Sequence, residues 1–224
     1  RRAAAPELGS SSVNTAAASV SEPRTLADVI PAPSDRTMRI ARDAALVVGF
    51  AALTAVFAQI SIHLGFTPVP ITGQTFAVLL SGAALGWRRG LLSQAVYWVA
   101  GMVLPFAWYT DGEHGWQAAT GATAGYLAGF VVAAAVVGYL AERRQDRDIA
   151  TSIPAMLAGT AVIYTLGSLW LAYKIGVPFA DSTANADGHT ALSLGVTPFL
   201  AGDAIKLVAA GLLTPLAWRL VDKR

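Results

Sequence analysis

The chain has 224 residues, of which 54% are hydrophobic and only 13% are charged, whereas about 25% of residues are charged in a typical soluble domain. A water-soluble domain fits this composition poorly, and a lipid bilayer is the expected solvent. The 16 basic and 14 acidic residues leave a net charge of +2, which argues against a nucleic-acid partner. The chain contains no cysteine, which excludes disulfides and thiolate metal sites.

The first 36 residues are rich in Ala, Ser and Pro and contain no sustained apolar run. Such a composition is typical of disorder, and a secretory signal would need an apolar core that this stretch lacks. We therefore expect residues 1–36 to form a disordered cytoplasmic tail, followed by a membrane domain formed by residues 37–224.

Six apolar segments follow the tail, and each approaches the roughly 20 residues that a membrane-spanning helix needs. The predicted helices cover residues 41–64, 75–87, 90–107, 121–140, 153–174 and 197–221. The second is short, and the proline-rich loop before it cannot be helical, so that loop is expected to dip into the protein. The sequence thus predicts an all-α integral membrane protein, a bundle of six transmembrane helices.

Basic residues indicate how this bundle is oriented. Fourteen of the 16 lie in the N-terminal tail, around the start of the first predicted helix, in the loops after the second and fourth predicted helices, or near the C-terminus. Short cytoplasmic loops of membrane proteins carry an excess of Lys and Arg. Both termini are therefore predicted to be cytoplasmic, in a multi-pass protein of the cell membrane.

The two remaining basic residues are Lys174 and Lys206. Lys174 lies at the outer end of the fifth predicted helix, where its side chain can reach the lipid headgroups. Lys206 lies about eight residues, roughly 12 Å, below the predicted start of the last helix at Thr197. Asp203 precedes it by three residues and shares its helix face.

Charged side chains at this depth cost roughly 2.5 to 3.5 kcal/mol each, and they usually face a cavity or each other. One interpretation is a self-satisfied ion pair that only fixes the last helix. The other is a binding site open to the outside, in which Lys206 holds a carboxylate and Asp203 accepts N–H donors from an uncharged polar group.

Weaker candidates for the same pocket are Gln74, Thr75, Tyr126, Glu113 and Trp116. The first two begin the second predicted helix, directly after the proline-rich loop. Tyr126 lies on the fourth helix, within a Gly-x-x-x-Gly pattern that most simply indicates a close contact with another helix. Glu113 and Trp116 belong to the long outer loop of residues 105–120, which we expect to act as a lid.

Three stretches of the sequence resemble one known family. They read FTPVPITGQTFAVLLSGAALGWRRG at residues 66–90, ATGATAGYLAGF at 119–130 and TPFLAGDAIKLV at 197–208. In this order they are similar to BioY, the biotin-specific S component of energy-coupling factor (ECF) transporters, and the resemblance covers nearly everything after residue 40.

This resemblance implies a six-helix bundle that captures biotin from outside the cell, with Asp203 and Lys206 contributing to the pocket. It leaves open which end of the vitamin meets Lys206. Some family members carry an arginine in a glycine-rich outer loop where this chain reads DGEHG. Glu113 or His114 would therefore do different work in this loop.

The resemblance also implies partners, namely a transmembrane T component and a pair of cytoplasmic ATPases. These dock through small residues four apart on the first helix, and Ala51 and Ala55 fit that pattern best. The chain has no phosphate-binding loop motif of its own. Some family members transport without dedicated partners, through self-association, and no cofactor or metal is expected.

The sequence leaves two alternative functions open. The chain could bind another small vitamin, or it could be an intramembrane hydrolase that uses Asp203. The second is a poor fit, because His63, His114 and His189 form no catalytic motif with their neighbours. We therefore expect a binding protein and not an enzyme.

Overall fold

A computed structural model of the chain describes residues 24–184, 187–221 and 223. Among these residues, the α-helices of 12 or more residues are α1 (Arg36–Ala58), α2 (Gln74–Leu85), α3 (Trp87–Val103), α5 (Ala124–Ala141), α6 (Ile149–Ile175) and α8 (Leu200–Val221). The short helices α4 (Gly115–Ala119) and α7 (Ala191–Gly195) lie in the connections. The fold is helical, as the apolar segments of the sequence predict.

Four helical segments are long and apolar enough to cross a membrane by length and composition. They are α1, α5, α6 and the segment Ala191–Val221, which includes α7 and α8. Helices α2 and α3 are shorter, and a single residue, Gly86, separates them. Its φ of +82° lies in the left-handed region, which glycine adopts without a Cβ clash, so the chain can reverse there without a longer loop.

The first helix ends at Ala58, six residues before the predicted boundary. The chain then forms a two-stranded antiparallel ribbon, in which β1 (Ser61–Ile62) pairs with β2 (Ile71–Thr72). This ribbon encloses the proline-rich loop. The Thr67 hydroxyl donates a hydrogen bond of 2.7 Å to the carbonyl of Leu194, so the loop is fixed against the segment that leads into α8.

Helix α5 is the most buried of the four candidate spans, and glycines bring it close to α6. A Cβ on Gly125 would lie 2.2 Å from the Cβ of Trp170, and one on Gly129 would lie 2.9 Å from the Cα of Ile163. Only glycine permits this approach, which confirms the predicted close helix contact. The approach places α5 in the middle of the bundle.

Ala51 and Ala55 on α1 face the interior of the bundle. Ala51 is fully buried and Ala55 nearly so, and both belong to the hydrophobic core. The prediction that they form a partner-docking patch is therefore wrong, because their small side chains allow α1 to pack against α2 and α3 instead. The small residues spaced four apart on the exposed face of α1 are Ala41, Ala45 and Gly49.

The last part of the predicted disordered tail is ordered. Residues 1–23 lie outside the described residues, but Leu26–Val29 form a 3-10 turn and Thr25 is buried. The Asp28 carboxylate accepts hydrogen bonds from the backbone N–H of Thr25 at 3.1 Å and from the Arg89 guanidinium at 2.6 Å. These contacts fix the segment against the junction of α2 and α3.

We call the end of the bundle that contains this junction the arginine end. Arg89 also donates to Asp43 at 3.3 Å, and so joins the segment before α1 to α1 itself. Burial raises the pKa of Asp28, but the hydrogen bonds from Arg89 and Thr25 outweigh it and hold the pKa below its ordinary value. The opposite end, which holds the ribbon and the loops around α4 and α7, is the cavity end.

Candidate functional site

The site is built around an ion pair in α8. Asp203 and Lys206 lie one turn apart, and the Lys206 Nζ is 2.6 Å from the Asp203 Oδ1. Asp203 is 6% exposed and lies in the first turn of α8, where the positive end of the helix dipole favours a carboxylate. The predicted pair therefore exists, but α8 begins at Leu200 and not at the predicted Thr197, so Lys206 lies six residues after the first residue of the helix.

Three further elements meet this pair. The Thr75 hydroxyl at the start of α2 donates to Asp203 Oδ1 at 3.1 Å. The Tyr164 hydroxyl on α6 donates to Oδ2 at 2.7 Å. The Lys206 ammonium also donates to the Thr72 carbonyl in β2 at 2.5 Å. The charged pair is thus held by hydrogen bonds from several directions, as buried charges require.

A cavity of about 670 Å³ lies beside the ion pair at the cavity end, well within the size range of small-molecule sites. Its apolar wall includes Val69, Leu127, Phe130, Ile163 and Phe199. The two interpretations of the pair are therefore compatible: it is a satisfied ion pair, and it also faces a cavity. Apolar walls with a few convergent polar groups are typical of ligand sites.

Six of the seven residues predicted for the pocket line this cavity: Gln74, Thr75, Glu113, Tyr126, Asp203 and Lys206. Trp116 is not among the lining residues, because its side chain in α4 is turned outward and is 69% exposed. The Tyr126 ring lines the cavity, but its hydroxyl donates to the Gly195 carbonyl at 2.7 Å. That hydroxyl therefore has a partner within the protein.

Gln74 is fixed on both sides of its amide. Its Nε2 donates to the Tyr97 hydroxyl at 2.7 Å, and its Oε1 accepts from the Thr72 hydroxyl at 2.8 Å and from the Thr110 hydroxyl at 3.3 Å. The amide therefore joins α2, α3, β2 and the outer loop. It presents one side of the cavity as a rigid surface.

The cavity mouth carries two acids and two histidines. The His63 Nε2 lies 2.8 Å from the Asp111 Oδ2, and the Ser61 hydroxyl donates to the Asp111 Oδ1 at 2.8 Å. Asp111 has a φ of +61°, a left-handed conformation that Asp tolerates better than most residues. Glu113 and His114 follow it on the same rim. The outer loop is thereby fastened to the ribbon above the cavity.

Sequence reasoning did not assign four further cavity-lining residues to the site: Tyr164, Thr72, His63 and Asp111. Tyr164 lies in a helix that is apolar nearly all round, so no periodicity distinguishes its face. The contribution of Thr72 is a backbone carbonyl, which no residue type reveals. His63 and Asp111 are 48 residues apart in the chain, and only the fold brings them together.

Comparison with known proteins identifies the family of this chain. The model of the BioY family matches residues 25–223, almost the whole described chain. The chain belongs to the BioY family.

Several proteins named biotin transporter BioY are similar to it. One from Thermotoga maritima is 39% identical over 165 residues, which cover 73% of this chain and 88% of that protein. One from Rhizobium etli is 34% identical over 181 residues, or 77% of this chain and 90% of that protein. One from Rhodobacter capsulatus is 36% identical over 173 residues, or 72% and 88%.

The fold is also that of a solved structure, the S-component for biotin from an ECF-type ABC transporter. The TM-score is 0.68 at 18% sequence identity, and the match covers 84% of this chain and 95% of the solved one. Membership of the BioY family, together with four helical segments able to cross a membrane, makes the chain a multi-pass membrane protein.

Proposed function

We propose that this chain captures biotin and serves as the substrate-binding S component of an ECF-type transporter in the cell membrane. The observation that carries the proposal is the buried Asp203–Lys206 pair beside a cavity of about 670 Å³. The names of the BioY relatives supply the ligand. The role is capture for uptake, and no catalytic step is involved.

The ion pair suits the ureido ring of biotin. An ammonium has three N–H donors, and Lys206 uses two of them on Asp203 and on the Thr72 carbonyl. A carboxylate accepts about four hydrogen bonds, and Asp203 accepts three, from Lys206, Thr75 and Tyr164. Within the described residues, one Lys206 donor and one Asp203 acceptor thus remain. Together they match an N–H next to a C=O.

The proposed orientation places the cavity end outside the cell and the arginine end in the cytoplasm. The basic residues of the short connections gather at the arginine end, in agreement with the excess of Lys and Arg in cytoplasmic loops. A chain without cysteine suits a direct test, because single cysteines can be introduced one at a time.

That test uses Thr183→Cys at the cavity end and Ala150→Cys at the arginine end, both at exposed positions. A thiol reagent that cannot cross membranes should label Thr183→Cys in intact cells. It should label Ala150→Cys only after the cells are opened. The reverse pattern would reverse the orientation.

For the partners, we propose docking of the T component, and through it the two ATPases, on the exposed face of α1. There Ala41, Ala45 and Gly49 form a row of small residues four apart, which allows close helix approach. This row takes the place of Ala51 and Ala55, which are buried, as the proposed docking patch.

Equilibrium binding of labelled biotin to the detergent-purified chain tests the function. Binding should be saturable and should be lost in Lys206→Met, which removes the donor that faces the ligand. The matched control is Lys174→Met, because Lys174 is the other Lys or Arg outside the arginine end in the described part of the chain, and it is exposed at the end of α6. Saturable binding of another vitamin in place of biotin would reassign the substrate. Loss of binding in both variants would contradict a specific role of Lys206 in biotin binding.

A further inference from the structure

The charges around the cavity fall into two groups. Deep in the cavity, the charges of Asp203 and Lys206 sum to zero. At the mouth lie Asp111, Glu113, His63 and His114. Among the lining residues in the described part of the chain, Lys206 is the one Lys or Arg. A ligand carboxylate therefore meets a permanent cation only at the deep end.

The deep end suits a neutral group better than a carboxylate. Lys206 is already 2.6 Å from Asp203, so its charge is balanced within the protein. A second carboxylate there would lie close to Asp203, and like charges at short range in a low dielectric repel strongly. An uncharged N–H and C=O edge meets the remaining donor and acceptor without that repulsion, which directs the valeryl tail of biotin toward the mouth.

At the mouth the tail enters an acidic and solvent-accessible rim. The Asp111 carboxylate is engaged by His63 and Ser61, and the side chains of His63 and Asp111 are 59% and 42% exposed. Glu113 is exposed on the same rim. A free carboxylate at the end of the tail would therefore be repelled by these two acids, whereas a neutral amide would not be repelled and an ammonium group would be attracted.

We propose that the site accepts biotin whose carboxyl group is amidated, including conjugates that carry an amine, at least as tightly as free biotin. The substrate class is thus a bicyclic urea whose tail need not be anionic. This inference rests on the proposed function, because it takes the ureido ring as the group held by Asp203 and Lys206.

The experiment is competition against labelled biotin on the detergent-purified chain. The competitors are unlabelled biotin, biotin amide and an aminoethyl amide of biotin, which present an anionic, a neutral and a cationic tail on the same bicyclic ring. We expect the neutral amide to compete at least as well as biotin and the cationic amide to compete best. The cationic advantage should shrink as salt rises, because exposed charges are screened.

Charge reversal at the rim provides the internal control. Glu113→Lys should shift the ratio of the amine conjugate Kd to the biotin Kd in favour of free biotin by about fivefold, the scale of a partly exposed charge pair. Glu113→Gln should shift it in the same direction by less. Lys174→Glu, an exposed charge reversal on α6 away from the lining residues, should leave the ratio unchanged.

The failures of the two proposals differ. If biotin binds but both amides compete far more weakly, the carboxylate is held by Lys206 and the inference is overturned while the proposed function stands. If Glu113→Lys leaves the ratio unchanged, the tail does not pass this rim, and the inference is equally overturned. If neither biotin nor its amides bind, the proposed function itself fails.

Discussion

The two ends of the bundle both pair acidic with basic side chains, but they use these pairs differently. At the arginine end, Arg89 makes four hydrogen bonds, and its carboxylate partners Asp28 and Asp43 lie on the segment before α1 and on α1. At the cavity end, Asp203 and Lys206 keep one acceptor and one donor that no described residue uses, beside a cavity. A network directed at the protein stabilises the fold, whereas a pair with remaining capacity is suited to bind a ligand.

This difference has an energetic counterpart. Buried ion pairs are weak contributors to stability, and apolar residues of similar volume often stabilise a protein at least as well. A pair such as Asp203–Lys206 is therefore expected to matter more for binding than for folding. The arginine end should show the opposite behaviour, and variants at the two ends can be compared directly.

The largest effect is expected from replacing the whole ion pair by apolar residues, as in Asp203→Leu combined with Lys206→Met. Biotin affinity should fall by at least about 100-fold, because binding loses both charged partners. Thermal unfolding in detergent should occur at the same or a higher Tm. The single variant Lys206→Met should have a lower Tm than the double variant, because it leaves Asp203 buried without its cation. A double variant that still binds biotin normally would remove the pair from the site.

The next largest effect is expected on α1, which has one buried set and one exposed set of small residues. Ala51→Trp inserts a large ring into a fully buried position and should lower the yield of folded protein, since overpacking costs about 1–3 kcal/mol or more. Ala45→Trp changes an exposed position and should leave biotin binding intact while it impairs uptake in cells. Equal Tm values for the two variants would contradict the observed packing of α1.

A smaller effect is expected at the arginine end. Arg89→Met removes the guanidinium that joins Asp28 and Asp43, and it should destabilise the chain by about 2 kcal/mol, because both acids are partly exposed. This corresponds to a fall in Tm of roughly 4–8 °C. The biotin Kd of the folded protein should not change.

The control for Arg89→Met is Arg88→Met. Arg88 is the adjacent basic residue, and its guanidinium lies 5.0 Å from the centre of the Trp87 ring. Its loss should lower the Tm by less than half as much. A change in biotin affinity in Arg89→Met would show that the two ends are coupled.

Site residues can be predicted from this sequence where a polar or charged side chain stands among apolar residues. Asp203 and Lys206 were predictable because an acid and a base one turn apart do not belong in a helix at that depth without a reason. Gln74 and Thr75 were predictable because they begin a helix directly after the proline-rich loop. Tyr164 was not, because an aromatic residue in an apolar helix fits lipid, core and cavity equally well.

The fold was predictable in its helices and less so in its connections. The apolar segments predict where the six longer helices lie, but not the early end of α1 or the ribbon between β1 and β2. The ordered segment around Thr25 also escapes prediction, since it depends on Arg89, 64 residues later in the chain. Contacts of this range leave no local pattern, and the same is true of the orientation of Ala51 on α1.

The smallest effect is expected at the arginine end, where one buried carboxylate has few polar partners. Asp146, in the connection between α5 and α6, is 1% exposed. Its Oδ2 accepts a hydrogen bond from the Trp218 indole at 2.6 Å. Its Oδ1 makes no hydrogen bond within the described residues and lies 3.9 Å from the Arg147 Nε. Burial outweighs the indole and Arg147, and it raises the pKa of this carboxyl above its ordinary value.

A raised pKa in the folded state means that the folded chain binds this proton more readily than the unfolded chain does. The contribution of Asp146 to stability is therefore fully present below its unfolded pKa and is lost as the pH rises through the folded pKa. Asp146→Asn keeps an oxygen for the Trp218 indole and removes the charge, so at pH 7 its Tm should exceed that of the parent chain by a few degrees. The difference should shrink as the pH is lowered toward 4, whereas Asp148→Asn, at an exposed acid two residues away, should show no such trend. A lower Tm for Asp146→Asn at pH 7 would mean that the pairing with Arg147 outweighs the cost of burial.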